Sequence, residues 1–207
     1  MYIRFTDADR QKITAAIHAA EQKTSGEFVA LVARSSDHYI AAMLLWAGGL
    51  ALLVPGVLLL LPLHLRFMQI YQLQLLTFIG LALVFELIPR LHLALVPRAV
   101  KHHRASLLAH AQFYERGVHL TREHSGVLFF VSLAERYVEI VADKGIHEKL
   151  GEAHWQKVVD TFLGQVQKGA VTEGFVAAIT ECGAAMAEHY PAKPGDADEL
   201  SDGLIEI

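Results

Sequence analysis

Hydrophobic and polar positions divide this chain into three regimes. Ile40–Leu63 is an apolar run without a charge, and Phe67–Val96 is a second one whose only charges are Glu86 and Arg90. A helix needs about 20 apolar residues to cross a hydrocarbon core of about 30 Å. Each run therefore predicts a transmembrane helix, and Leu63-His64-Leu65-Arg66 predicts the turn between them. A two-helix hairpin returns the chain to the side it left, so both flanks share one compartment.

The flanks carry the periodicities of a water-soluble α/β domain. Thr6–Lys23 reads as a helix, with a capping box from Thr6 and Asp9 and a buried face of Ile13, Ile17 and Ala20. Thr24-Ser25-Gly26 breaks it, and Glu27–Ala33 is a short apolar run of the buried-strand type. Arg34–Tyr39 links that strand to the membrane. Beyond the second run, Arg98–Arg116 is helical and reads as a continuation of the second span into water, ended by Gly117. Gly126–Leu133 and Tyr137–Ala142, separated only by Ala134-Glu135-Arg136, predict a β-hairpin with a short turn. Asp143-Lys144-Gly145 leads into a short helix ending near Gly151. Trp155, Val158, Val159, Phe162, Leu163 and Val166 then trace one apolar helix face, with Gly169 at its end. A last helix over about Ala170–His189 is stopped by Pro191. Residues 1–39 and 98–190 are accordingly two pieces of one domain, 40–97 is the hairpin, and 191–207 is an acidic tail expected to be flexible. The lone strand before the anchor predicts pairing with the hairpin beyond it, parallel to the hairpin's first strand, because an unpaired apolar strand leaves backbone groups unsatisfied.

Composition narrows the setting. The hydrophobic share of 53% is high for a soluble protein, and the two apolar runs account for the excess. A net charge of −4 supplies no basic field for nucleic acid, and the single cysteine, Cys182, excludes an intrachain disulfide framework. The polar start, Met1 to Asp9, does not read as a cleavable signal peptide, so the first span is the expected insertion signal. Arg98, Lys101 and Arg104 follow the second span closely and Arg34 precedes the first, whereas the turn offers only Arg66. Positive charge near span ends faces the cytoplasm, which predicts a cytoplasmic domain on a bacterial inner membrane.

The stretch Gly126-Val127-Leu128-Phe129-Phe130-Val131-Ser132-Leu133-Ala134-Glu135-Arg136-Tyr137-Val138-Glu139-Ile140-Val141-Ala142-Asp143, followed by a tryptophan-bearing amphipathic helix, resembles the TPM domain family in its bacterial membrane-protein branch. Thr24-Ser25-Gly26-Glu27-Phe28-Val29-Ala30, after a helix, adds a weaker match. The resemblance covers about 5–35 and 99–190 and implies a three-layer α/β/α sandwich around a small mixed sheet. Many relatives carry an uninterrupted domain and one C-terminal span. Here the hairpin interrupts the domain after its first strand, which is feasible where the two insertion points lie close together.

Some TPM relatives bind a divalent cation through acidic residues, and a phosphatase activity has been proposed for plant members. By that resemblance Glu27, Asp143 and Asp160 are the candidate ligands for a cation such as calcium, and Arg136 is the candidate contact for an anionic ligand. The structural alternatives are specific. Asp143 caps the next helix, Asp160 lies on a solvated helix face, Glu27 marks a strand edge, and Arg136 is a turn residue pairing with Glu135 or Glu139. His102, His103 and His110 share one helix but form no zinc motif. Glu86 and Arg90, four apart on the second span, are read as a structural pair rather than a transport site, with Pro89 bending the helix. Gly48-Gly49 and Gly56 suit close helix packing, and Ser125 and Ser132 lack a nucleophile elbow. The expected function is a membrane-anchored accessory or interaction domain. Its partners are the lipid bilayer and another membrane protein or a small charged ligand, and self-association into a homo-oligomer is open to it. A divalent-metal-dependent phosphoester hydrolase is the alternative.

Overall fold

The structure is a computed structural model and describes residues 5–62, 65–121, 123–193, 200 and 203–207. It divides into two compact units, 1–36 with 102–207, and 37–101.

In the first unit, α1 (Asp7–Glu21) starts at the predicted box: the Thr6 hydroxyl accepts from the Asp9 N–H at 3.2 Å, and Asp9 Oδ2 accepts from the Thr6 N–H at 2.9 Å. β1 (Phe28–Ala33) lies parallel to β2 (Val127–Ser132), Phe28 opposite Val127, as the lone-strand argument requires. β2 pairs antiparallel with β3 (Tyr137–Ala142) through the short turn at Ala134-Glu135-Arg136. The tail departs from expectation. Its end forms β4 (Ile205–Glu206), parallel to β1, and Arg10 reaches Glu206 at 2.8 Å. Leu204, Ile205 and Ile207 surround a single charge, Glu206, enough to dock an edge strand that the acidic composition conceals. The result is a four-stranded mixed sheet in the order β3-β2-β1-β4.

Alternation along the strands explains their unbroken apolar character. Phe28, Ala30, Val32, Val127, Phe129 and Val131 face one core, shared with Ile13 and Ile17 of α1, Trp155, Val158 and Phe162 of α8 (Glu152–Gln167), and Phe175 and Ile179 of α9 (Val171–His189). Val29, Leu31, Ala33, Leu128, Phe130 and Val141 face the other, closed by Ala105, Ala109 and Phe113 of α6 (Arg98–Glu115). Both faces are covered, so neither can be polar. The three-layer α/β/α arrangement follows. α7 (Lys144–Leu150) connects β3 to α8.

The second unit is the hairpin. α2 (Ile40–Leu52) and α3 (Val54–Leu59) make one apolar stretch of 20 residues, and α4 (Phe67–Leu87) one of 21, with mean hydropathies of 2.1 and 1.7. These two helices are long and apolar enough to cross a membrane. Met43, Ala47 and Phe85 form their shared core. The glycines do not explain that contact: a Cβ on Gly48 would sit 3.9 Å from Phe78, an ordinary distance, and one on Gly49 or Gly56 would meet nothing within 4 Å. Proline breaks the second run twice. Pro89 forces Ile88 out of helical geometry (φ −123°, ψ 76°), so α4 ends and α5 (Pro89–Leu95) begins. Pro97 does the same to Val96 (ψ 127°), so α6 is a new helix rather than a continuation of the span. The expected Glu86–Arg90 pair presupposes an unbroken turn between them, which Ile88 interrupts, and the Arg90 side chain lies outside the described residues.

Candidate functional site

The sheet brings two of the four candidate residues to one end. Glu27 precedes β1, Gly126 precedes β2 and Asp143 follows β3. Their register places them in one row, joined by the Val127 N–H to Glu27 carbonyl bond (2.9 Å) and the Asp143 N–H to Gly126 carbonyl bond (2.9 Å). With neighbouring strands about 4.8 Å apart, the Glu27 and Asp143 backbones are about 10 Å apart. Glu27 is buried, at 8% exposure. Asp143 caps α7: one carboxylate oxygen accepts from the Lys144 N–H at 2.6 Å, and the other lies 3.1 Å from His124 Nδ1.

Packing around this row leaves no room for side chains in two places. A Cβ on Gly126 would fall 2.1 Å from the Val118 carbonyl oxygen, and one on Gly145 2.6 Å from that of His124. His124 itself is left-handed (φ 52°), a strained state for a non-glycine residue. Beside it, Glu123 accepts from Ser25 at 3.2 Å and pairs with Lys193. The Lys193 hydrogen bond, then Ser25, hold the Glu123 carboxyl below its ordinary range. Lys149 sits 3.8 Å over the Tyr190 ring. Sequence reasoning missed Ser25, Glu123, His124 and Lys193, which come from three separate segments with no shared motif. The acid-base pair Glu123-His124 before a strand was the only local hint.

Asp160 and Arg136 lie elsewhere. Asp160 is on the exposed face of α8 and accepts from Gln156 at 2.9 Å. Arg136 is exposed in the β2–β3 turn in a left-handed conformation (φ 53°), at the opposite end of β3 from Asp143 and about 20 Å away along the strand. Its neighbour Glu135 turns inward instead of spanning the surface. Glu135 is 4% exposed, accepts from the Ser36 N–H (3.0 Å) and the Ser35 hydroxyl (3.2 Å), and bonds the Ser132 hydroxyl.

A hard cation takes six to eight oxygen ligands. The row offers two carboxylates, and both oxygens of Asp143 already have partners. Among the described residues no three His, Cys, Asp or Glu side chains converge as a metal site would require. As placed, these residues do not fit a resident cation, and no chemical step is derived through one.

Between α6 and β3 lies a second polar group. The Ser106 hydroxyl donates to Glu139 Oε1 at 3.2 Å, His110 Nε2 is 3.5 Å from the same oxygen, and the His102 ring rests on Tyr137 at 5.1 Å. Burial, then the Glu139 charge, push the Tyr137 hydroxyl above its ordinary pKa. Histidine spacing along α6 hinted at this group; the strand face that completes it was not visible.

Residues 90–185 match the family model described as the TPM domain. That span runs from α5 to α9 and leaves out α1 and β1, the part whose resemblance is weaker. The fold is similar to the solution structure of the BA42 protein from the psychrophilic bacterium Bizionia argentinensis, at a TM-score of 0.63 and 18% identity, over 100% of this chain and 97% of that one. Comparison with curated proteins gives no match. Two elements outside the matched span, β1 and β4, complete the sheet, so the similarity to the TPM domain rests on residues 90–185 and on the fold.

Proposed function

We propose that this protein is a membrane-anchored TPM domain that works as an accessory or interaction module for another membrane protein, with its domain in the cytoplasm. One observation carries the reading. The two apolar helices bury only 17% and 6% of their span windows within the chain, leaving Leu45, Leu52, Leu59, Phe67, Leu76 and Leu87 exposed. Side chains of that kind over 20 and 21 residues match a bilayer in length and chemistry. Anchoring places the domain where it meets membrane proteins. Crosslinking in intact membranes followed by mass spectrometry tests this. A reproducible membrane-protein partner, lost when the hairpin is exchanged for an unrelated one or when the domain is removed, supports the module; recovery of lipid and bulk protein alone overturns it.

A phosphoester hydrolase is the second reading, favoured by the His124–Asp143 contact beside Glu27 and by the matching family model's being named for a phosphatase. Its test is hydrolysis of p-nitrophenyl phosphate by the full chain with calcium or magnesium. Turnover removed by Asp143→Asn would put this reading first.

A further inference from the structure

We propose that the outer edge of β3 accepts an extended peptide segment carrying lysine or arginine, as an added β-strand, and that this is how the domain grips its partner. The proposal rests on the interaction-module reading and names the surface it uses.

Hydrogen-bond parity defines the edge. The N–H groups of Val127 and Leu133 bond to the carbonyls of Glu27 and Ala33, so odd residues of β2 point their backbone toward β1 and even ones toward β3. The Asp143 N–H bonds the Gly126 carbonyl, and Leu128 and Phe130 stand opposite Val141 and Glu139. Residues 137, 139, 141 and 143 therefore turn their backbone inward. Val138, Ile140 and Ala142 turn theirs outward, on the last strand of the sheet. Among the described residues their N–H and C=O groups have no partner. β3 is six residues long, pairs with β2 without a bulge and contains no proline or lysine. Natural edges are normally blunted by such devices, and an edge lacking these three is a template for another strand, with the inward charge of Glu139 left to restrict which strand.

Charge selects the occupant. The one ionised side chain of β3 is Glu139, on the α6 face, and its Oε2 is buried with no hydrogen-bond partner among the described residues. A lysine or arginine on an added strand supplies that partner. A second copy paired about Glu139 does not. Self-pairing that keeps α6 on one side of a continuous sheet joins residues of like parity. Centred on Glu139, it sets Glu139 against Glu139. Like charges directly opposite destabilise a strand pair. The same glutamate that repels a copy attracts a basic segment. On the other face, α8 packs against β3, and its Trp155 is 4% exposed with an indole N–H that has no acceptor among the described residues.

The test uses the full chain in nanodiscs and two labelled octapeptides of alternating valine and threonine, one with two lysines, the other with two glutamates in their place. The lysine peptide is expected to bind and to protect the amides of Val138, Ile140 and Ala142 from hydrogen exchange, with the glutamate peptide at least about tenfold weaker. Val138→Pro removes an outward donor without touching the β2 ladder, so it is expected to leave the fold intact and abolish binding. Glu139→Lys is expected to invert the preference. Binding unaffected by Val138→Pro, protection elsewhere on the domain, or a peptide-independent dimer through β3 would each overturn the proposal. A membrane-protein crosslink that persists in Val138→Pro would overturn the edge while sparing the module. Edge binding without any membrane-protein crosslink would do the reverse.

Discussion

Arg136 and Trp155 take their identities from opposite settings, a strained turn and a packed core. Arg136 holds φ 53° in the β2–β3 turn, a conformation that costs a non-glycine residue roughly 1 kcal/mol. If the turn alone sets its identity, Arg136→Gly relieves that cost. Glycine's extra chain entropy offsets part of that relief, so we expect the variant to gain at most about 0.5 kcal/mol in urea unfolding. Ligand affinity lost alongside that gain would mark the arginine as retained for binding. Trp155 is the opposite case, a side chain at 4% exposure in the core under α8. Trp155→Ala is expected to destabilise the domain by about 3–5 kcal/mol, read from the same unfolding curves; unchanged melting would contradict its place in that core. The tryptophan's burial was legible because a stripe at i, i+3, i+4 and i+7 identifies a buried face without knowledge of what covers it. The inward turn of Glu135 was not. It depends on Ser35 and Ser36, about 100 residues earlier, as well as on Ser132.

Elements were legible where local chemistry decides them. The Thr6–Asp9 box, the β2–β3 hairpin and the end at Gly169 (φ 79°) each depend on a few neighbouring residues. Errors came where a short signal was overruled by its surroundings. A proline in an apolar run reads as a bend, yet at Pro89 and Pro97 the preceding residues leave the helix altogether. The tail reads as acidic, yet Ile205 and Glu206 add a strand to β1 and Glu206 pairs with Arg10. The row at the sheet end was legible only in part: Glu27 and Asp143 flank strands, so topology brings them together, while His124 and Lys193 arrive through loop packing. That packing gives a pH expectation. The Glu123 carboxyl is held below its ordinary range, chiefly by Lys193 and then Ser25. A depressed carboxyl stabilises the folded state above its unfolded pKa of about 4.3 and loses that contribution as pH falls through its folded value. Exchange protection around Ser25, Glu123 and Lys193 is therefore expected to weaken in acid below about pH 4. Glu123→Gln should show the weakened state already at neutral pH. Protection identical in both proteins at every pH would remove the pair from the account of this loop.

At the scale of the whole molecule, the proposed anchoring makes the side of the membrane that holds the domain the decisive property, because it would fix the partners the β3 edge can meet. The chain enters the hairpin after β1 and leaves it before α6, so both pieces of the sheet must be on one side for Phe28 to pair with Val127. In the proposed anchored state, charge selects the side. Arg34 lies before the first span and Arg98, Lys101 and Arg104 lie just after the second, against Arg66 in the turn. Lysine and arginine near span ends are retained in the cytoplasm during insertion, and basic juxtamembrane segments of other membrane proteins are enriched on that same side, the chemistry that Glu139 favours. Two introduced cysteines test this. Cys182 is fully buried, and burial pushes its thiol well above the ordinary range, so it stays silent toward a maleimide and can be left in place. Arg66→Cys reports the turn and Lys168→Cys an exposed position at the end of α8. A membrane-impermeant maleimide added to intact cells is expected to label position 66 and spare position 168, with both labelled after lysis. Labelling of position 168 in intact cells would put the domain outside, remove the cytoplasmic segments from the partners of the β3 edge, and require a basic extended strand from an extracytoplasmic protein instead.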